Sequence, residues 1–280
     1  MTTDPYTRLM VPYVNDNTRA LTELAILSVV RLQPALARSG RLKKYRQHRD
    51  LLDRLKIDDY KVSVGVGLHL GWAIEGAIGT KYKIDASYLS SNVSIAAKLE
   101  LATRHYGVNI LFSDEVREAA GEGMKNMMRQ IDTVKFKGID AEIPIWTIDI
   151  EIAPYFYANT TEIEVLTSIE KKIERRDDRI KKEQLLAQVT QDPNYVKNLI
   201  LKDQEIQLMR KKFTNEFFRE WQAGFTSYTK GEWPLAKKKF EKTLHMIPDR
   251  EDKPSRALLT FMEELNNNPP QEWNGVRSIN

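Results

Sequence analysis

One stretch of this chain carries residue types that could do chemistry. Gly67-Leu68-His69-Leu70-Gly71 is followed by Gly76 and Gly79. Glycine backbones approach phosphates closely, and a histidine among them could act as a base. The spacing fits neither a dinucleotide fingerprint nor a P-loop, and no Gly-Lys-Ser/Thr follows. The stretch therefore reads first as turn and packing glycines between two strands, with a nucleotide loop as the alternative. His69 sits in an apolar strand and reads as a hydrogen-bonded core histidine before it reads as a catalytic base.

Other chemistries are excluded more firmly. The sequence has no cysteine, so there is no disulfide, no thiol nucleophile and no cysteine zinc site. His48, His69, His105 and His245 are scattered, without metal-ligand spacing. The 43 basic residues nearly balance 39 acidic ones, and no basic patch interleaves with aromatics, which argues against nucleic acid as a partner. The apolar run Ala20 to Val30 is too short for a membrane span and carries Thr22, Glu23 and Ser28. No signal peptide pattern opens the chain. The expectation is an intracellular, cytoplasmic protein.

The elements that would position these residues follow from periodicity. Residues 1–16 read as irregular, with Pro5 and Pro12. Asn17 or Thr18 can cap a helix through Leu21, Leu24, Leu27 and Val30, which Pro34 and Gly40 interrupt. A basic helical piece follows, with Tyr45, Leu51, Leu52 and Leu55 as its stripe. Lys61 to Leu70 and Trp72 to Ile78 alternate as strands, Val93 to His105 is an amphipathic helix, and Val108 to Phe112 is a short buried strand. Ile131 to Lys137 and Ile143 to Ile150 form a hairpin through Gly138. From Thr160 to Lys212 charged helix formers dominate, broken once at Asp192-Pro193. This is a solvated connecting helix or, alternatively, a partner-binding arm. Residues 213–264 read as a helical hairpin in which Gly224, Gly231, Ala236, Phe240 and Pro248 are spaced as in one tetratricopeptide repeat. One repeat cannot bury its own face, so it packs on the rest of the chain. The tail, with Pro269-Pro270 and Trp273, reads as irregular.

Three stretches together resemble the second half of a class III adenylate/guanylate cyclase homology domain. They are the glycine framework, the run Asn92-Val93-Ser94-Ile95-Ala96-Ala97-Lys98-Leu99-Glu100, and Tyr106-Gly107-Val108-Asn109-Ile110-Leu111-Phe112-Ser113. Ile84-Asp85-Ala86-Ser87-Tyr88-Leu89-Ser90, Gly231-Glu232-Trp233 and Pro254-Ser255 resemble protist members. The resemblance implies an α+β fold: a partial ferredoxin-like cyclase domain over residues 1–152, its antiparallel sheet packed with helices. A charged helical connector follows over 153–212, then a tetratricopeptide-like hairpin and tail over 213–280.

The resemblance also implies what each position should do. Ser94 stands where the family has an asparagine and Lys98 where it has an arginine, still one helical turn apart. Serine is too short to reach a ribose, and lysine lacks the planar fork that binds phosphate bidentately. Ser87 falls where the family reads the purine, and Lys137 matches its phosphate-contacting lysine. Gly67, Gly71, Gly76 and Gly79 would be structural glycines of a hairpin. The family's two metal-binding aspartates have no counterpart, since Asp4, Asp16, Asp50, Asp53, Asp58 and Asp59 neither lie in apolar strands nor follow glycine. No cofactor is expected, and two Mg or Mn ions enter only if a partner chain supplies the aspartates. The missing strands would leave an unpaired sheet edge and an uncovered apolar face, so another polypeptide is expected to complete the sheet.

Three functions follow as expectations. The first is an inactive cyclase-homology subunit, structural or regulatory, in a larger assembly, with a cilium or axoneme as its setting by resemblance. The second is one half of a split cyclase making cAMP or cGMP. The third is a module that binds nucleotide without turnover.

Overall fold

A computed structural model of the chain describes residues 15–158 and 168–279. Asp4 and most of the irregular opening lie outside the described residues.

The first helix, α1 (Asp16–Arg38), is capped by Asn15, whose side chain accepts from the Thr18 amide at 2.8 Å. It runs through Pro34 rather than stopping there. Proline removes one backbone bond, but Ile26, Leu27, Val30, Gln33, Pro34 and Ala37 are buried together on one face, and that burial outweighs the loss. The helix is thus long and apolar enough to cross a membrane, which the run from Ala20 to Val30 alone was not. Here half of its apolar window is buried within the protein.

The basic piece after it is not one helix. It is divided into α2 (Gly40–Lys43), a 3-10 turn over Lys44–Gln47 and α3 (Arg49–Leu55). Its stripe is not buried either, with Tyr45 and Leu55 both largely exposed.

The middle of the chain supplies β1 (Val66–Leu68), β2 (Ile74–Thr80), β3 (Lys83–Leu89), α4 (Ser91–Tyr106), β4 (Ile110–Ser113), α5 (Asp114–Ala119), α6 (Glu122–Lys125), β5 (Arg129–Phe136) and β6 (Glu142–Thr147). The rest is α7 (Ser168–Gln191), α8 (Tyr195–Lys202), α9 (Gln204–Arg210), α10 (Asn215–Thr229), α11 (Trp233–Leu244), α12 (Lys253–Glu264) and β7 (Arg277–Ile279).

Five strands form one mixed sheet in the order β1-β4-β6-β5-β7. β1 runs parallel to β4, β6 pairs antiparallel with β4 and β5, and β7 runs parallel to β5. The tail, read as irregular, therefore closes the sheet. The strand read over 61–70 shrinks to three residues and does not pair with its neighbour in sequence. β2 pairs instead with β3, a strand absent from the sequence reading, as a separate two-stranded ribbon. Ile84-Asp85-Ala86-Ser87 alternates too weakly in polarity to have shown it.

Both faces of the five-stranded sheet are covered. Leu111, Ile131, Val134, Ile143 and Ile145 face a core built with α4, α10, α11 and α12. Ile110, Phe112 and Ile148 face a second core with α1, α8 and α9. The split of Leu111 from its neighbours is the period-two alternation of a strand buried on both sides. The expected uncovered face of this sheet is thus absent among the described residues.

Helices from the connector make much of that cover. α7 is exposed over 172–184, but Val189, Val196, Ile200, Ile206 and Met209 are buried in the second core. A second break falls at Asp203, which caps α9 through the Glu205 and Ile206 amides. The C-terminal helices pack on the sheet, with Gly224 of α10 meeting the Phe240 ring of α11. Trp221, Tyr228, Trp233 and Phe240 share one core with Leu99 and Val134.

Candidate functional site

Helix α4 carries two of the positions of interest. Ser90 caps it, accepting from the Asn92 amide at 3.1 Å. Ile95, Leu99, Ala102 and Tyr106 form its buried line. Ser94 is exposed and Lys98 half-buried. The Lys98 ammonium stands 5.9 Å from the centre of the Phe136 ring. Phe136 is the buried last residue of β5, and the next residue is the exposed Lys137. The fold therefore brings Lys98 to the hairpin that carries Lys137, across 38 residues of sequence.

Lys137 itself is held by its backbone, the amide donating to the Ile279 carbonyl of β7 at 3.1 Å. A cavity of about 310 Å³ beside it is lined by Lys135, Lys137, Asp140 and Ser278 among others, without Lys98. Ser87 stands elsewhere, opposite Gly76 in the β2–β3 ribbon and outside the main sheet. The two cations can attract a polyphosphate, but ammonium groups cannot hold a metal ion.

The upstream aspartates are dispersed. Asp16 opens α1, Asp50 and Asp53 lie on α3, and Asp58 and Asp59 follow it. Asp59 accepts from Arg46 at 2.8 and 2.7 Å, and that bond holds its carboxyl below the usual range. Among the described residues no three His, Asp or Glu side chains come together as a metal site.

The glycines act as a rail. A β-carbon on Gly67 would lie 2.3 Å from the Ala96 carbonyl oxygen and 2.5 Å from the Glu100 nitrogen. One on Gly71 would lie 2.3 Å from Asn92, and one on Gly79 would lie 2.0 Å from the Lys83 carbonyl at the ribbon's turn. Gly76 differs, because a side chain there would meet nothing within 4 Å. So β1 lies directly on the α4 backbone, the segment after it meets the Asn92 side chain, and the ribbon springs from the helix's N-terminal end.

His69 locks that arrangement. Its side chain is 4% exposed. Nε2 lies 3.0 Å from Asn92 Oδ1, while Asn92 Nδ2 donates to the Trp72 carbonyl at 2.9 Å. With the amide so oriented, Nε2 is the donor. Nδ1 lies 2.7 Å from Ser113 Oγ and 3.5 Å from Glu115 Oε2. The histidine thus joins β1, the end of β4, α5, α4 and the root of the ribbon. Ser113 and Glu115 were missed as its partners because they lie 44 and 46 residues away.

With Nδ1 protonated as well, the imidazolium 3.5 Å away, foremost, depresses the Glu115 carboxyl to about 2, against burial. Folding thus stabilises ionised Glu115. This contribution is present above the ordinary value near 4.5 and is lost as pH falls from there toward 2. Thermal melts from pH 2 to 5 should show a loss in the native protein that Glu115→Gln flattens; equal slopes would exclude the pairing. His69→Phe should cost about 1–3 kcal/mol by stranding Asn92 and Ser113, measured by urea unfolding.

Sequence comparison ties about half of the chain to adenylate cyclases. It is 29% identical over 142 residues to "Adenylate cyclase" of Anabaena cylindrica, covering 49% of this chain and 27% of that protein. It is 28% identical over 101 residues to "Adenylate cyclase, terminal-differentiation specific" of Dictyostelium discoideum, covering 35% of this chain and 5% of the relative. "Adenylate cyclase 1" of Rhizobium meliloti (strain 1021) is 28% identical over 96 residues, 34% of this chain and 14% of its own length. The chain therefore spans about a quarter or less of the curated relatives it matches. A solved bacterial light-regulated adenylyl cyclase is similar over 47% of this chain and 34% of its own, at 22% identity and a TM-score of 0.32. No family model matches the sequence.

Proposed function

We propose that this chain is a cyclase-homology subunit that keeps the scaffold without the catalysis, and that it serves a larger assembly by docking a second polypeptide. One observation carries the reading, the β2–β3 ribbon. Ile74, Ile78 and Leu89 project from one of its faces, Ile84 and Tyr88 from the other, and all five are more than half exposed. A two-stranded ribbon is marginal alone, and an apolar patch of this kind marks an interaction surface. Among the described residues β1 pairs only with β4, so its other edge offers backbone donors and acceptors beside that ribbon's root.

The substitutions support absent catalysis. Losing a preorganised transition-state donor costs about 10²–10³ in rate, and by the resemblance Ser94 and Lys98 replace two of them. The purified chain with Mg or Mn and either ATP or GTP should form no cyclic nucleotide above a protein-free blank. Measurable cyclic product would end this reading. The resemblance to protist proteins makes a cilium the setting to examine, by locating a tagged chain in the cell.

A second reading is favoured by the placement of Lys98 beside the Lys137 hairpin. A partner chain carrying two aspartates would then complete a split cyclase. Co-expression should give activity that Lys98→Ala or Lys137→Ala lowers about 10²-fold or more. Unchanged rates in both variants would remove it.

A further inference from the structure

We propose that the cleft where the sheet meets the C-terminal helices is a second binding site, for a small phosphorylated polyol of the sugar-phosphate class. It lies at the C-terminal end of α4, at the opposite end of that helix from Ser94. Its cavity is about 690 Å³ and is lined by Lys61, Arg104, Arg250 and Lys253 with Glu100 and Glu151. That volume falls within the roughly 300–1,000 Å³ of ligand sites, which favour junctions of this kind.

Lys253 is its centre. A neighbouring cavity of about 440 Å³ shares both Lys253 and Arg104 with the first. The lysine stem lies on Gly107, whose missing β-carbon would stand 2.2 Å from Lys253 Cδ. Gly107 adopts a left-handed φ of +63° that ends α4, so the bare backbone there serves both the cap and the lysine. Among the described residues no carboxylate lies within 4 Å of the Lys253 ammonium. Lys253 is exposed at the cleft, with its stem held on Gly107 and its ammonium in no ion pair among the described residues.

The other cations are only partly used. Arg104 meets Glu100 at 3.5 Å, Arg250 meets Glu151 through Nε at 3.2 Å, and Lys61 lies 3.9 Å from Asp59. Each guanidinium keeps donors free for phosphate oxygens. Glu100 is an acceptor only, so it suits a hydroxyl group of the same ligand, whereas the buried Glu151 already accepts from the Ala153 amide at 3.0 Å and holds Arg250 in place. Cations for a phosphate and the Glu100 carboxylate for a hydroxyl, in one cleft, favour a phosphorylated polyol over a bare anion. Lys253 also follows Asp252, which anchors the C-terminal helices to the sheet, so occupancy should tighten that junction.

Calorimetry and thermal shift with ribose 5-phosphate test this, with ribose and inorganic phosphate as separate arms. Ribose 5-phosphate should bind with Kd of about 1 mM or tighter and raise Tm, with both other arms weaker by about tenfold or more. Lys253→Met keeps the stem on Gly107 and removes the charge. It and Arg250→Gln should each weaken binding by about tenfold, while Lys137→Ala should not. No binding at about 10 mM, or binding unchanged in both cleft variants, would overturn the site. Inorganic phosphate binding as tightly as ribose 5-phosphate would overturn the ligand class. None of these outcomes depends on whether the chain is catalytic.

Discussion

Replacing Arg129 by methionine is expected to cost about 3–5 kcal/mol, enough to lower Tm on the order of 10 °C. Arg129 lies on β5 with its side chain 2% exposed. It donates to Asp149 at 2.9 and 2.6 Å and to Asp252 at 3.1 and 3.0 Å. Asp252 also caps α12 by accepting from the Ser255 amide at 3.0 Å. The guanidinium carbon lies 4.9 Å from the Phe217 ring centre and 4.4 Å from Trp221, both on α10. Burial works against the charge, but the two carboxylates outweigh it and raise the guanidinium above its usual value.

This one side chain therefore ties β5, the segment after β6, α10 and α12 together. Methionine would strand two carboxylates that are 3% and 1% exposed. Adding Asp149→Leu and Asp252→Asn removes both stranded charges and keeps an N-cap at residue 252. That triple variant should recover most of the loss, because a buried ion pair contributes little against apolar replacements. A single-variant loss below about 1 kcal/mol in urea unfolding would show that the contact does not hold the two parts together.

Gly67→Val is the second large effect, expected at about 3 kcal/mol. The added β-carbon would fall within 2.3 Å of the Ala96 oxygen, 2.5 Å of the Glu100 nitrogen and 2.9 Å of Leu99 Cβ. Two of these are helix backbone atoms, which cannot rotate aside, so α4 must move off β1. Moving α4 also displaces Lys98 from Phe136. Gly76→Val is the control, since nothing lies within 4 Å of its β-carbon, and it should stay within about 0.5 kcal/mol. Equal losses in the two variants would mean that the rail along α4 does not hold.

Much of the candidate site was legible in sequence and some was not. The period of Val93 to Glu100 put Ser94 and Lys98 on one turn of a helix, and α4 has them there. Phe136-Lys137-Gly138 showed a hairpin, and β5 and β6 make it. That Lys98 should lie over Phe136 was beyond reach, because the contact depends on how a helix crosses a sheet. Gly67 and Gly76 looked alike as glycines, and only their neighbours separate them. Lys253 and Gly107 carried no joint signal, being 146 residues apart.

By itself the sequence determined the local elements, meaning the helix from Val93 to His105, the hairpin through Gly138, the α+β succession and the lack of cysteine. These depend on capping, periodicity and composition, which act over a few residues. The tertiary structure alone decided that β1 pairs with β4 and not with β2, that residues 277–279 close the sheet on β5, and that the connector helices cover one of its faces. Alternation tells a strand which of its faces is apolar, but its hydrogen-bonding edges look the same in any sequence, so partner and register are set by the whole chain at once.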